Sequence, residues 1–288
     1  MKLVSVLIIT LVAMSVTGAQ ANQLSRVVPP ATPDAGGGVH GHFKAVVDSF
    51  PSPGASPMGV DWVESHGVLY HVNEWLDTNV YAIDPDDGSA TLLFDISAAV
   101  GAPTDANGLA YVEERQSEYL YTTDWLGQGS NDDAVYKFTT AGAFIDSFRV
   151  YWFCPGAAGI CYDGTYFWLS CTSSGQIVKC NAAFEPLAFY AHPSGSGGGM
   201  DYDPVTGHYY VMDVWNAHIY VCDGDMVVLD DFPAGWLGGS ANGLCVGRDR
   251  GRTLFFSNFS LGRIYEIDDE FVSPVESASW GTVKGMYR

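Results

Sequence analysis

Aromatic, acidic and amide side chains recur at two positions of a repeated sequence unit. One position follows a short apolar run and the other opens the next unit. Flat aromatic faces beside amides and carboxylates suit a sugar-like ligand, because apolar C–H faces stack while hydroxyl groups find hydrogen-bond partners. The same residue types also suit packing between repeats and, for the aspartates, capping of loop N–H groups. The candidate ligand-binding residues are Trp75, Asn107, Asp124, Trp125, Asp213, Trp215, Asn242 and Asn258.

The repeated unit predicts the elements that would position these side chains. Its leading glycines are Gly59, Gly108, Gly159, Gly199 and Gly243, at intervals of 40–51 residues. Each glycine begins a series of short β-type runs, and four such runs make one propeller blade. The fifth unit lacks a fourth run, and HFKAVVDSF at residues 42–50 resembles the missing one. The sequence therefore predicts an all-β, five-bladed propeller closed by an N-terminal strand, with six blades as the alternative.

The two ends of the chain differ from the repeats. Residues 1–21 have the charged start, apolar centre and small-residue cleavage site of a secretory signal peptide, with an uncleaved membrane anchor as the alternative. Residues 22–39 are interpreted as a flexible linker, residues 40–272 as the propeller and residues 273–288 as a tail. The tail is similar to short sorting tails of exported bacterial proteins, or it packs on the propeller. We expect a secreted, periplasmic or cell-surface protein.

The charge balance restricts the partners. The formal net charge is −20, so the surface repels nucleic-acid phosphates and anionic lipids. After the signal peptide no apolar stretch is long enough to span a bilayer. We expect a monomer that binds a small neutral ligand, a sugar or a protein, or simply an acidic exported protein without such a site.

The chain has six cysteines, an even number that permits disulfides in an exported protein. Cys171 and Cys180 flank a short turn and are predicted to face each other across a hairpin. Cys154 and Cys161 bracket the start of the same blade, which would leave Cys222 and Cys245 as the third pair. Buried free thiols are the alternative.

Sequence signals for catalysis are absent. The chain has no G-x-S-x-G, and a strand rather than a helix follows the glycine-rich SGSGGG at residues 194–199. The histidines are scattered over different units. No cofactor is expected, although a divalent metal such as calcium would suit the loop GQGSNDD at residues 127–133.

The motifs of the unit resemble those of the NHL and gluconolactonase-like propellers over residues 41–271. The shared motifs are the Asn/Ala-Gly-Leu/Ile opening, the Leu-Tyr of the second run and the Ile-Tyr or Val-Tyr of the third. The resemblance implies the propeller fold. Gluconolactonase-like members hold a divalent metal with a glutamate, an asparagine and an aspartate, and Met58 stands where their leading glutamate would be. Residues of suitable type for the other ligands are Asn107, Asn242, Asp124 and Asp213.

The chain is also similar in size to the five-bladed glutaminyl cyclases, whose late Asn-Gly-Ile segment matches Asn242-Gly243-Leu244. The catalytic glutamate of that family follows a Leu-Tyr, where this chain has His71, so the activity is not carried over. The sequence thus predicts a binding or interaction module that uses the mouth of the propeller. The alternative is a metal-dependent hydrolase or lactonase that uses the same mouth.

Overall fold

A computed structural model describes residues 45–74, 77–125, 133–234, 240–251 and 253–268. These residues form five four-stranded antiparallel sheets arranged in a ring, with one short helix between the first two sheets. The prediction of an all-β, five-bladed propeller is confirmed. The predicted signal peptide, linker and tail lie outside the described residues.

The strands follow chain order within each blade, except in the last. The N-terminal strand is β1 (Val46–Pro51). Blades one and two are built from β2 (Pro57–Val63), β3 (Val68–Asn73), β4 (Asn79–Ile83), β5 (Ala90–Asp95), then α1 (Ile96–Val100), β6 (Ala106–Glu114), β7 (Ser117–Asp124), β8 (Ala134–Thr139) and β9 (Phe144–Arg149).

The remaining blades follow the same antiparallel plan, each starting with the strand nearest the axis. They are built from β10 (Ala157–Tyr162), β11 (Phe167–Cys171), β12 (Gln176–Cys180), β13 (Pro186–Ala191), β14 (Gly197–Asp203), β15 (His208–Asp213), β16 (His218–Cys222), β17 (Val228–Pro233), β18 (Ala241–Gly247), β19 (Thr253–Asn258) and β20 (Arg263–Asp268).

The last blade is completed by the N-terminal strand, as predicted. Strand β1 pairs antiparallel with β20, with Ser49 opposite Tyr265 and Phe50 opposite Ile264. The sheet order is therefore β1-β20-β19-β18. Because both ends of the repeat array share one blade, the ring closes through backbone hydrogen bonds.

Each junction between neighbouring blades holds its own apolar cluster. Between the last blade and the first, Phe50, Val60, Trp62, Phe255 and Ile264 are buried against one another. The described residues form five such clusters, one for each junction. A strand that packs on both faces needs apolar residues on both, which explains the nearly continuous apolar runs of the sequence.

The innermost strands touch at five glycines, one in each blade. A Cβ on Gly243 would lie 2.1 Å from the carbonyl oxygen of Met58, and a Cβ on Gly199 would lie 2.3 Å from that of Asn242. This contact narrows the centre of the propeller so far that no space for a water molecule remains there. We call these residues the glycine ring: Gly59, Gly108, Gly159, Gly199 and Gly243. The channel is therefore divided into two separate ends.

The disulfide differs from the predicted pairs. It joins Cys154 to Cys171, with the two Cα atoms 5.1 Å apart. Cys171 pairs in register with Gln176 beside the turn, whereas Cys180 pairs with Phe167 at the far end of the hairpin. The predicted pair Cys171–Cys180 is wrong because these residues lie at opposite ends of the two strands.

The other two predicted pairs are wrong as well. Cys161 lies within β10 and is a buried free thiol, while its predicted partner Cys154 lies in the preceding connection. Cys222 packs in the junction of blades three and four, and Cys245 packs in the junction of blades five and one. Proximity of cysteines along the chain did not identify the pairs, because the strand register separates them.

Replacing both Cys154 and Cys171 by alanine is expected to lower the free energy of unfolding by about 3 kcal/mol, since the bridge closes a loop of 17 residues. The free energy of unfolding is measured by denaturant titration with and without dithiothreitol. Reductant should destabilise the wild type and leave the double variant unchanged. Peptide mapping that joins Cys171 to Cys180 would contradict the described pairing.

Candidate functional site: the mouth of the propeller

A depression of ≈ 240 Å³ opens at the end of the propeller that carries the loops between second and third strands. Its floor comes from the residues that precede the glycine ring, and its rim comes from the residues that follow the second strands. We call this depression the mouth. The floor is formed by Met58, Asn107, Ala158 and Asn242, and the rim includes Glu74, Trp125, Thr172, Trp215 and Phe259.

The floor presents two amide groups held by local hydrogen bonds. The Asn107 Nδ2 donates to the carbonyl oxygen of Asp105 at 2.9 Å. The Asn242 Nδ2 lies 2.9 Å from the Met58 sulfur. Asn107 is almost fully buried, so its orientation is set by the fold before any ligand arrives. Both asparagines were predicted site residues, and both lie in the mouth.

The rim presents aromatic faces to solvent. Trp215 is 67% exposed and Phe259 is 38% exposed, and Trp125 is half-buried. Large exposed aromatic side chains that share one concave surface contribute little to a core and are available for stacking. Trp125 and Trp215 were predicted site residues. Trp75, the third predicted tryptophan, lies outside the described residues.

Three predicted site residues lie beneath the mouth rather than in its lining. Asp124 accepts the backbone N–H of Asp105 at 2.6 Å and the hydroxyl of Tyr136 at 2.9 Å. Burial raises the pKa of Asp124 to about 6. Its carboxyl group connects the inter-blade loop to the second and third strands of blade two, so it shapes the mouth indirectly.

Asp213 and Asn258 likewise accept hydrogen bonds from loop backbone groups, in blades four and five. The Asp213 carboxylate accepts the backbone N–H of Trp215 at 2.9 Å and the Asn216 side-chain amide at 2.7 Å. The Asn258 Oδ1 accepts the backbone N–H of Leu261 at 3.0 Å. Both residues are fully buried. These contacts stabilise the turns that present Trp215 and Phe259.

A pair of carboxyl groups lies beside the mouth. Glu74 follows β3 and lines the depression, and Asp105 precedes β6 in the neighbouring blade. Burial first, and then the Glu74 carboxylate, raise the pKa of Asp105 to about 8. Burial also raises the pKa of Glu74, although its hydrogen bond with Asp105 opposes that rise. Each carboxyl group of the pair therefore retains its proton to a higher pH than an isolated carboxyl group would.

This pair was missed as a site by sequence reasoning. Glu74 has a usable signal, because it follows the second strand of its blade just as Trp125 follows β7. Asp105 lies one residue before a strand and carries no motif. Only the packing of blade one against blade two brings the two carboxyl groups together.

Replacing Asp105 by asparagine is expected to make stability less dependent on pH. The folded pKa of Asp105 lies above the ordinary value of 3.8, so the folded state holds an extra proton between about pH 4 and pH 8. Stability is therefore lost as the pH rises through that window. The variant should gain roughly 1–2 kcal/mol at pH 8, a discounted figure because water screens the partly exposed group.

The measurement is the free energy of unfolding at pH 5 and at pH 8 for the wild type, Asp105→Asn and the exposed control Asp146→Asn. The control should keep the wild-type slope. An unchanged slope in Asp105→Asn would show that Asp105 does not carry the proton.

The mouth does not match the metal-binding set that the gluconolactonase-like resemblance implies. Met58 occupies the position of the leading glutamate, and the Asp124 carboxyl group is engaged by a backbone N–H and a tyrosine hydroxyl. Across the described parts of the chain, no group of three or more His, Cys, Asp or Glu residues is placed to hold a metal ion. The calcium-like loop at residues 127–133 lies almost wholly outside the described residues, so calcium binding there stays a prediction.

The residue that replaces the cyclase glutamate is a structural histidine. His71 is fully buried, with Nδ1 3.0 Å from the carbonyl oxygen of Gly59 and Nε2 2.9 Å from the Asn73 Oδ1. Burial lowers the pKa of His71 to about 4, so the ring is neutral. It fixes the first two strands of blade one and does not line the mouth.

In the described residues no helix is long and apolar enough to cross a bilayer.

Neither a family model nor a curated protein matches this chain. Solved structures do. A glutaminyl cyclase of Myxococcus xanthus superimposes with a TM-score of 0.58 at 13% identity, covering 77% of this chain and 94% of that one. A luciferin-regenerating enzyme gives 0.55 at 10% identity, covering 75% and 92%.

A third similar structure is the calcium-binding protein regucalcin of Agrobacterium tumefaciens. It gives a TM-score of 0.52 at 13% identity, covering 81% of this chain and 97% of that one. Identities this low show the fold alone. The fold-level resemblance to the NHL and gluconolactonase-like propellers is confirmed.

Proposed function

We propose that this protein is an exported binding module that takes a small neutral ligand, such as a sugar ring, at the mouth. The observation that carries the proposal is that Trp125, Trp215 and Phe259 line one open depression with two asparagines on its floor. A sugar would stack its C–H face on an indole and place its hydroxyl groups against the amides. The volume of ≈ 240 Å³ suits a ligand smaller than a typical drug molecule.

Export is supported by the disulfide and by the N-terminal sequence. Cys154 and Cys171 form a disulfide. Disulfides persist in oxidising compartments and are rare in cytosolic proteins. The N-terminal residues carry the pattern of a cleaved signal peptide. The net charge of −20 supports a neutral ligand over an anionic one.

Replacing Trp215 by alanine is expected to weaken binding by roughly 1–3 kcal/mol, the cost of removing an aromatic anchor, and to change stability by less than about 0.5 kcal/mol, since the side chain is 67% exposed. The experiment screens monosaccharides and oligosaccharides by calorimetry and tryptophan fluorescence, then measures affinity and melting temperature on the same variants.

The matched control is Trp152→Ala, because Trp152 is 76% exposed and lies outside the mouth. It should leave both quantities unchanged. Trp125→Ala should weaken binding on the same scale as Trp215→Ala. A large loss of stability in Trp125→Ala without an effect on ligand would mean that this indole is a spacer between blades. Unchanged affinity in both Trp215→Ala and Trp125→Ala would overturn the mouth as the site.

A hydrolase is the second candidate, and the Glu74–Asp105 pair is the observation that favours it. Two neighbouring carboxyl groups with raised pKa values are suited to general acid and base roles. Turnover of lactone or ester substrates that Glu74→Gln abolishes would support this candidate. Sensitivity of that turnover to EDTA would separate a metal-dependent mechanism from one that uses the pair alone.

A further inference from the structure

A second cavity lies at the end of the propeller opposite the mouth, and the proposed function does not involve it. Its volume is ≈ 230 Å³, close to that of the mouth. The glycine ring separates the two, since no space for a water molecule remains at that level. We call it the opposite cavity. Its lining includes Asp61, Trp62, Tyr111, Tyr162, Tyr202 and Arg248.

The carboxylates of this cavity come from the innermost strands, two residues beyond the glycine ring. Asp61 follows Gly59 in β2, and Asp201 follows Gly199 in β14. Each accepts a backbone N–H from the next blade: Asp61 from Tyr111 at 2.5 Å and Asp201 from Val246 at 2.8 Å. Both carboxylates are therefore rigidly placed by strands.

The lining of the opposite cavity has more acidic than basic side chains. Arg248 is its cationic lining residue, and it donates to Asp201 at 3.4 Å and to the carbonyl oxygen of Tyr202 at 2.6 Å. Asp163 is a further lining carboxylate. Burial acts to raise its pKa, but the hydrogen bonds that it accepts from Trp168 and its neighbours together outweigh burial and keep the pKa below the ordinary value. Within the described residues, no cationic group lies at ion-pair distance from Asp61.

The walls of the opposite cavity are aromatic. Tyr111 stacks on Tyr70 with 6.1 Å between the ring centroids, and Tyr202 packs on Tyr209 at 4.9 Å. These contacts hold the wall rings in fixed orientations. Tyr111, Tyr162 and Tyr202 are each partly exposed. Aromatic faces around a carboxylate attract a cation through the ring quadrupole as well as through its charge.

We propose that the opposite cavity binds a small organic cation, with its ammonium group at the Asp61 carboxylate and its methyl or methylene groups against the tyrosine walls. The proposal does not depend on the function assigned to the mouth. An ammonium ion fits better than a divalent metal, because the walls are aromatic and Arg248 occupies one side of the carboxylate pair. A phosphate or carboxylate ligand is disfavoured, because it would lie beside the acidic side chains of Asp61, Asp163 and Asp201.

A proton competes with this cation. Burial first, and then the neighbouring Asp201 carboxylate, raise the pKa of Asp61 well above its ordinary value. Without a bound cation, Asp61 therefore tends to be protonated. A bound ammonium ion replaces that proton, so the affinity for the cation should rise with pH. The charged or titratable groups around Asp61 are Asp201, Arg248, Cys161, Cys245, Tyr70 and Tyr111.

The test uses choline and its neutral carbon isostere 3,3-dimethyl-1-butanol on the full-length protein, with affinities from calorimetry and tryptophan fluorescence. Choline should bind at least about tenfold more tightly than the alcohol, because only choline carries the charge. Its affinity should increase as the pH is raised, because Asp61 then loses its competing proton more readily. Equal affinities for the two probes, or no binding of choline, would overturn the proposal.

The variants locate the site. Asp61→Asn keeps an oxygen for the Tyr111 N–H and should weaken choline binding roughly tenfold. The exposed control Asp146→Asn and the mouth variant Trp215→Ala should leave it unchanged, which separates this proposal from the proposed function. If Asp61→Asn does not fold, Tyr162→Leu tests the wall instead. Choline affinity retained in the folded variant would overturn the assignment.

Discussion

Removing strand β1 is expected to destabilise the propeller by about 5 kcal/mol or more, enough to unfold a domain of ordinary stability. The strand pairs with β20 along its length, and Phe50 is 5% exposed within the cluster that joins the last blade to the first. Its loss would open the ring, uncover that cluster and turn β20 into an unpaired edge.

The measurement compares two truncated chains by denaturant and thermal unfolding. A chain that starts at residue 40 lacks only the predicted signal peptide and linker, and it should match the mature protein. A chain that starts at residue 53 lacks β1 as well, and it should unfold at a much lower temperature or aggregate. Equal stability of the two chains would refute closure of the ring by this strand.

Replacing Gly243 by alanine is expected to cost more than about 3 kcal/mol, because an added methyl group would overlap the neighbouring blade. The new Cβ would lie 2.1 Å from the carbonyl oxygen of Met58. That oxygen also accepts the Ser257 hydroxyl at 2.5 Å, so it is held in place. The strand cannot move outward without separating blade five from blade one.

The matched control is Gly224→Ala. A Cβ at Gly224 would meet no atom within 4 Å, and its φ lies outside the left-handed region. Alanine there should be neutral or slightly stabilising, since it reduces the freedom of the unfolded chain. Unfolding free energies of the two variants decide the matter. A loss at Gly243 no larger than at Gly224 would show that the ring of glycines tolerates side chains.

The fold could be predicted from the sequence because the same sequence unit occurs five times and each copy forms one blade. The leading glycines mark the strand nearest the axis, and the apolar runs after each of them match the strands of one blade. Even the shared last blade was visible, since residues 42–50 resemble the outer strands of other blades. In the described residues the strand is Val46–Pro51, whereas the predicted run begins at residue 42. The sequence therefore predicted the role of the strand correctly but not where the strand begins.

The candidate site was only partly predictable. Sequence position placed Asn107, Trp125, Trp215 and Asn242 at one end of the propeller, and they do share the mouth. It did not distinguish residues that line the depression from residues that cap its turns. Asp124 directly precedes Trp125, yet it is fully buried under the loop, because it is the last residue of β7 and its carboxyl group accepts the Asp105 N–H and the Tyr136 hydroxyl, whereas Trp125 follows the strand.

What the sequence alone determined is everything that recurs: the blade, the closure by an N-terminal strand and the end that carries the aromatic loops. It favoured five blades over six, and the structure shows five. What only the tertiary structure decided is everything that depends on contacts between blades. The Cys154–Cys171 bridge depends on strand register, the Glu74–Asp105 pair on one junction, and the opposite cavity on the geometry around the axis. A repeat specifies each blade separately, whereas such contacts join residues far apart in the chain whose distance no local pattern encodes.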